Sequence, residues 1–376
     1  MPDLVALLLP GGPAFVDELQ RAWDNGDAVL PLDPRLPQPV LQDLLDSLRP
    51  SWLVDAPGDR RSVDGGEPVD EGDAFVIATS GSTGRPKGVV HTHASVAASA
   101  HATNRGIGTD PTRDRFLCCM PLNHVAGLSV VTRALLSGTP LEVLPGFDAD
   151  EVEAAARERG ATITTMVPTA LLRIDASLYR RIVVGGAAPP DELPPNVLVS
   201  YGLTETGSAI AYDGRALEGG ELRLVAPDDR GPSEIQVRGP MLFRVYRDGS
   251  DPKDADGWFS TSDAGEFDTD GRLRVLGRRD DAINTGGEKV WPAGVEWALH
   301  DHPEVAEVAV IGRPDPEWGQ VVVALIVPTD PASPPTLTDL RTWAKERLPA
   351  YAAPRQLEIV DQLPRTPLGK IRRVGL

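Results

Sequence analysis

The chain is short of cysteine, lysine and aromatic side chains, and each shortage narrows what it can be. Two cysteines occur among 376 residues, and Cys118 and Cys119 are neighbours. Adjacent cysteines cannot staple a framework, so a reducing compartment, the cytoplasm, is expected. Aromatic residues make up only 5% of the chain. No apolar run approaches the roughly 18 residues that a membrane-spanning helix needs, so neither membrane insertion nor a leader peptide is expected. Basic residues are outnumbered 37 to 55 by acidic ones, for a formal charge of −18, which argues against a nucleic-acid partner. Lysine is scarcer still, at 87, 253, 289, 345 and 370 only. Arginine supplies generic positive charge almost everywhere else, so the retained lysines invite a chemical role: a compact ammonium reaches a single oxygen as a point charge.

What the chain does have is ordinary soluble composition, 41% apolar and 24% charged, and enough length for two or three domains. Its most distinctive stretch is Thr79-Ser-Gly-Ser-Thr-Gly-Arg-Pro-Lys-Gly88, which follows an apolar strand, Ala74 to Ala78. Glycines 81, 84 and 88 allow φ > 0 and close backbone approach to an anion. Thr79, Ser80, Ser82 and Thr83 add hydroxyls, and Lys87 adds charge. The stretch is not a Walker A loop, because Pro86 precedes the lysine and Gly88-Val-Val follows it. On composition alone it also fits a flexible surface loop.

Residues 1 to 72 read as an edge layer with a helical pattern at Val40 to Leu48 and an acidic, Gly-rich surface loop. Strand and helix patterns then alternate. Helical periods at Ala94 to Thr103, Leu128 to Leu136 and Asp148 to Arg159 separate apolar runs at Phe116, Leu141, Ile163, Ile182 and Val197, which predicts a parallel sheet covered on both faces. A capping box from Asp148 and Glu151 opens the third helix, and Gly160 stops it. From Glu221 the pattern turns to short antiparallel strands, expected as a small barrel, and beyond Gly277 to Asp281 about 95 residues form their own α+β pattern. The expected fold class is α/β: a large N-terminal domain with parallel sheets and a small antiparallel subdomain, residues 1–279, then a small mobile α+β domain, residues 280–376.

Four further segments carry chemistry. Tyr201-Gly-Leu-Thr-Glu-Thr206 follows a strand end, and beside a phosphate loop Glu205 becomes a candidate Mg²⁺ ligand, since one carboxylate plus phosphate oxygens is a usual Mg²⁺ environment. Ser260-Thr-Ser-Asp263 is placed in a turn, where Asp263 either takes both hydroxyls of a ribose or caps the turn. Arg278 is either a ribose or phosphate contact or a solvated linker charge. Leu363-Pro-Arg-Thr-Pro-Leu-Gly-Lys370 is a tight loop that either presents one lysine or forms a basic tail.

Together with GRRDDAINTGGEKVWPAGVE, these segments occur in order from residue 79 to 370, and the chain resembles the adenylate-forming family of acyl- and aryl-CoA ligases, adenylation domains and luciferases. The resemblance implies two domains hinged at Asp280 and two half-reactions: a carboxylate attacks the α-phosphate of ATP and releases pyrophosphate, then a thiol displaces AMP. It implies ATP, Mg²⁺ and coenzyme A as cofactors. Thr79, Ser80, Gly81, Ser82, Thr83, Gly84 and Lys87 would hold the β- and γ-phosphates, and Thr204 and Glu205 the α-phosphate and Mg²⁺. Asp263 with Arg278 would hold the ribose. Gly185, Gly186 and Ala187 would form the adenine and acyl loop, with Tyr201 and Gly202 along the adenine. Gly286 and Gly287 would border the pantetheine tunnel, near Lys289. Lys370 would touch the carboxylate and α-phosphate, where charge builds up in the in-line attack.

Pro121-Leu-Asn-His124 matches the family's aromatic-then-His gate with Asn123 in the aromatic position. His124, Ser200 and Gly186 would line the acyl substrate. Arg133, nine residues after His124 in an apolar segment, sits either on the wet face of a helix or against a second carboxylate of the substrate. The latter looks like the 2-succinylbenzoate–CoA ligases of menaquinone biosynthesis, whose aromatic acid carries two carboxylates. About a hundred residues of the family pattern are missing ahead of the phosphate loop, as in short members of that subgroup. Small molecules are the expected partners, with free CoA as the thiol and a homodimer left open. Another aryl- or acyl-CoA ligase, or a truncated non-catalytic nucleotide-binding module, are the alternatives. Histidines 91, 93 and 101 are not accompanied by a metal-ligand spacing.

Overall fold

Two seven-stranded sheets carry the N-terminal part of the chain. The computed structural model describes residues 1–80, 86–187, 192–226 and 233–364. One compact unit is made of Met1–Arg223 and Val237–Phe259, and a second takes in Leu224–Gln236 and the chain from Ser260 on.

In the first unit, one sheet runs in the order Val245–Tyr246, Pro86–Thr92, Asp73–Ser80, Ala28–Pro31, Leu4–Leu7, Trp52–Ala56, Asp59–Ser62. The N-terminal stretch is therefore more than the expected edge layer: Leu4–Leu7 and Ala28–Pro31 are interior strands, buried along their whole length. Four-residue, wholly apolar runs lack the alternation that marks a strand in sequence, which is why they were not legible. Helix Gln38–Leu48 covers this sheet with Leu41, Leu44, Leu45 and Leu48, at helical spacing on one face. Two arginines bind the segment after Pro240 to this sheet. Arg244 closes Nε and Nη2 on the two oxygens of Asp73 at 2.9 and 2.8 Å, and Arg247 donates to the carbonyls of Leu48, Glu67 and Pro68.

The other sheet orders Arg215–Ala216, Ser208–Tyr212, Val197–Leu203, Arg181–Val184, Ile163–Met166, Phe116–Cys118, Leu141–Val143. Its last five strands are parallel, as the alternation predicts. Helix Ala149–Arg159 starts where Asp148 accepts from the Glu151 N–H and ends at the left-handed Gly160. Cys118 and Cys119 are both buried and unpaired, and burial pushes the Cys118 thiol up to about 12. Helix Val125–Ser137 is buried on every face between residues 127 and 134.

Among the described residues the expected small barrel is instead an open sheet, Glu221–Val225, Glu234–Arg238, Phe259–Phe267, Leu273–Arg278. Four strands are too few to close around a core, and Phe267 and Val275 remain exposed. A five-stranded sheet follows. Along its hairpin, Val305–Asp315 and Gly319–Pro328, the side chains alternate: Val308, Val310, Val322, Ala324 and Ile326 meet helices Pro292–His300 and Leu337–Lys345, while Ala309, Ile311, Val321, Val323 and Leu325 form the opposite core. Among the described residues no helix is long and apolar enough to cross a membrane.

Candidate active site

Strands Asp73–Ser80 and Pro86–Thr92 flank the expected phosphate loop and pair antiparallel, with Thr79 opposite Lys87 and Ser80 opposite Pro86. Gly81, Ser82, Thr83 and Gly84 lie outside the described residues, as does Lys370. Gly88 does not take the positive φ expected of it. It is an ordinary strand residue that must be small: a Cβ there would stand 2.7 Å from Val76 Cγ1 and 2.8 Å from Leu48 Cδ2.

On the neighbouring sheet, Tyr201 and Gly202 are the end of a strand, and Thr204–Thr206 form one 3₁₀ turn closed by Gly207 at φ 65°. Gly202 admits no side chain, since a Cβ would meet the Ser208 carbonyl oxygen at 2.0 Å. The Thr206 hydroxyl is buried in the turn and accepts from the Leu203 N–H at 2.9 Å. Gly185 abuts Ser200, whose Oγ donates to the Val184 carbonyl at 3.0 Å, and Gly186 takes φ 82° just before Ala187.

Two side chains for which the sequence suggested no site role join these segments. His91, weighed there only as a metal candidate, is buried, with Nε2 2.7 Å from the carbonyl oxygen of Thr204 and Nδ1 3.2 Å from Ser95 Oγ. Tyr246 donates its hydroxyl to Glu205 Oε1 at 3.0 Å, and Lys87 Nζ lies 5.0 Å from the centre of its ring. Lys87 and Glu205, 118 residues apart by their numbers (205 − 87), thus meet on one phenol. A half-buried carboxylate fits Mg²⁺, which takes one or two carboxylates with phosphate oxygens and keeps its waters. Among the described residues no group of three or more His, Cys, Asp and Glu is placed to hold a metal ion.

His124 is the residue that precedes helix Val125–Ser137, and Asn123 is buried beside it. Arg133, on that helix, is 1% exposed, so it is not on a wet face. Its Nε donates to the Ser129 carbonyl at 3.1 Å, Nη2 to Thr165 Oγ1 at 2.9 Å and Nη1 to the Tyr212 hydroxyl at 3.4 Å, with Phe116 under the guanidinium. Every one of those partners is neutral. Burial pushes the Tyr212 phenol up, and the Arg133 charge pulls it partly back.

Within the second unit, Asp263 and Arg278 are brought together. They are directly cross-strand, and Arg278 Nη1 donates to Asp263 Oδ1 at 3.2 Å and to the Thr261 carbonyl at 2.8 Å. Asp263 lies in the long strand Phe259–Phe267 rather than in the expected turn. The turn-like signal belongs to Ser262, held at φ 61° where its N–H meets Glu234 Oε1. Gly286 and Gly287, at φ 62° and 85°, are the two-residue turn of the Ile283–Thr285 and Glu288–Val290 hairpin, and a Cβ on Gly286 would strike the Trp318 ring at 2.6 Å.

Two α/β sheets that bring a strand lysine and a carboxylate-bearing turn against one side chain, with that turn at a strand end, offer the kind of crevice in which such folds bind ligands. Comparison with known proteins sharpens that reading. Residues 56–247 match the AMP-binding enzyme family and residues 294–370 the AMP-binding enzyme C-terminal domain. The chain belongs to this family. It is 37% identical over 369 residues to a probable 2-succinylbenzoate–CoA ligase from Mycobacterium tuberculosis, covering 90% of this chain and 93% of that relative. Among solved structures it resembles the o-succinylbenzoate CoA synthetase (MenE) of Bacillus subtilis in complex with the acyl-adenylate OSB-AMP, at TM-score 0.87 and 27% identity over 99% of this chain and 87% of that one. The same enzyme with ATP and magnesium ion gives TM-score 0.86 and 28% identity, over 100% and 89%.

Proposed function

We propose that the chain is an AMP-forming 2-succinylbenzoate–CoA ligase of menaquinone biosynthesis, using ATP, Mg²⁺ and coenzyme A. The substrate carboxylate attacks the α-phosphate of ATP, a P–O bond forms as pyrophosphate leaves, and the CoA thiol then displaces AMP to give the thioester. The observation that carries the choice of acid is Arg133. A guanidinium has five N–H donors, three of which are spent on neutral acceptors, and no carboxylate among the described residues balances its charge. A buried cation held this way is stabilised by an anion brought to it, and the second carboxylate of 2-succinylbenzoate is such an anion. Benzoate and fatty acids have none to offer.

In this reading Lys87 and the turn from Thr79 to Gly84 hold the β- and γ-phosphates. Thr204 lies against the α-phosphate, and Glu205 holds Mg²⁺, which draws charge from the phosphate oxygens when bound. Asp263 takes the ribose hydroxyls with Arg278 beside it. Gly185, Gly186, Ala187, Tyr201 and Gly202 enclose the adenine. His124, Ser200 and Gly186 line the acid, Gly286 and Gly287 border the thiol's path, and Lys370 neutralises charge at the reacting carboxylate. Residues 1–279 and 280–376 act as two domains pivoting at Asp280. This reading assigns the enzyme to the cytoplasm and leaves a homodimer open.

Pyrophosphate release across a panel of acids tests the proposal. Release with 2-succinylbenzoate and Mg-ATP, and little with benzoate or a fatty acid, is expected. Equal release with the monoacids would leave a general acyl-CoA ligase, and none with any acid would leave a nucleotide-binding module.

A further inference from the structure

Three stretches of chain meet on the ring of Tyr246. The short strand Val245–Tyr246 pairs antiparallel with Val89 and Val90, which sets Tyr246 beside the lysine that opens the Pro86–Thr92 strand. Its hydroxyl donates to Glu205, and the Phe243 N–H, from the same segment, donates to the Glu205 carbonyl at 2.8 Å. The ring cannot swing freely. Phe243 packs against it at 4.9 Å between centroids, Lys253 Nζ donates to the carbonyls of Phe243 and Arg244 at 3.2 and 2.8 Å, and Arg244 is clamped on the buried Asp73.

We propose that Tyr246 is a positioning residue of the nucleotide site: its hydroxyl fixes which Glu205 oxygen faces the metal ion, and its ring holds the Lys87 ammonium over the phosphates. The inference rests on the reading of Glu205 and Lys87 given above. A glutamate carboxylate turns easily about its last torsion, whose preference is broad and two-fold. A donor fixed on one oxygen leaves the other for the metal, and loss of such an outer hydrogen bond typically weakens metal affinity about 10- to 100-fold. The ammonium sits on a flexible stem, and the π-face limits where it can go.

Mn²⁺ binding to the full chain with a non-hydrolysable ATP analogue, read by the free-ion electron paramagnetic resonance signal, tests this without turnover. Tyr246→Phe keeps the ring packed on Phe243 and removes only the hydroxyl. It is expected to raise the Mn²⁺ Kd about ten-fold and to leave metal-free binding of the analogue unchanged, whereas Tyr246→Leu also weakens metal-free binding. Glu205→Gln is expected to weaken Mn²⁺ at least as much, and adding Tyr246→Phe to it should change nothing further. If Tyr246→Phe binds Mn²⁺ like wild type while Glu205→Gln does not, the inference fails and the reading of Glu205 stands. Additive effects in the double variant would also overturn the inference. If Glu205→Gln binds like wild type, the metal placement fails and the inference with it.

Discussion

The imidazole of His91 closes on the carbonyl oxygen of Thr204 at 2.7 Å, tying strand Pro86–Thr92 to the turn that carries Glu205. A carbonyl only accepts, so Nε2 carries the proton and Nδ1 accepts from Ser95, the residue that caps helix His93–Ile107 together with Thr92. Burial pushes the His91 pKa down from 6.5 to about 4, with the Thr204 hydrogen bond opposing.

That depression makes stability depend on pH. Between the unfolded value of 6.5 and the folded value of about 4 the unfolded chain takes up a proton that the folded chain refuses. Stability is therefore lost as pH falls through this window, at about 1.4 kcal/mol per pH unit from this residue. Urea unfolding at pH 7 and pH 5.5 should show wild type losing about 1–1.5 kcal/mol more than His91→Gln; equal losses would remove the argument.

Arg133→Leu should raise the KM for 2-succinylbenzoate at least ten-fold, about 1.4 kcal/mol, while the KM for ATP stays near wild type. The substitution also strips hydrogen bonds from the Ser129 carbonyl and the buried Thr165 and Tyr212 hydroxyls and empties volume in the core, so a separate stability loss of about 1–3 kcal/mol is expected. Steady-state kinetics and a denaturant midpoint separate the two effects. An unchanged KM would show that the guanidinium serves packing alone.

Arg244→Ala leaves the Asp73 carboxylate, 1% exposed, without its clamp. The expected cost is about 2–3 kcal/mol, toward the low side for a buried pair because the guanidinium is itself 36% exposed. Adding Asp73→Asn should recover part of that loss in guanidinium chloride unfolding, and a further loss would contradict the account.

Two glycines should respond oppositely to alanine. Gly202→Ala drives a Cβ against the Ser208 carbonyl and should cost about 1–3 kcal/mol and disturb the Thr204–Thr206 turn. At Gly146 nothing lies within 4 Å and φ is ordinary, so alanine there should be neutral or stabilise by up to about 1 kcal/mol. Thermal melts of both variants distinguish close packing from a general effect of glycine loss.

Much of this was legible because it is local. The β/α alternation, the Asp148 cap, the left-handed Gly160 and the oddity of Arg133 in an apolar segment are properties of short windows. Tyr246 was not legible: Val-Tyr-Arg carries no chemistry of its own, and its place beside Lys87 and Glu205 arises from pairing with Val89. The same holds for Thr165 and Tyr212, which come to Arg133 from separate strands. Asp263 was found by its motif but placed in a turn, because Ser260-Thr-Ser-Asp reads as turn chemistry although a left-handed Ser262 keeps it within a strand.

The most direct measurement is product analysis with 2-succinylbenzoate, Mg-ATP and coenzyme A. Mass spectrometry should find the 2-succinylbenzoyl-CoA thioester and AMP in equal amounts, with both abolished in Lys370→Ala. ADP in place of AMP, or a thioester formed as readily from benzoate, would contradict the account.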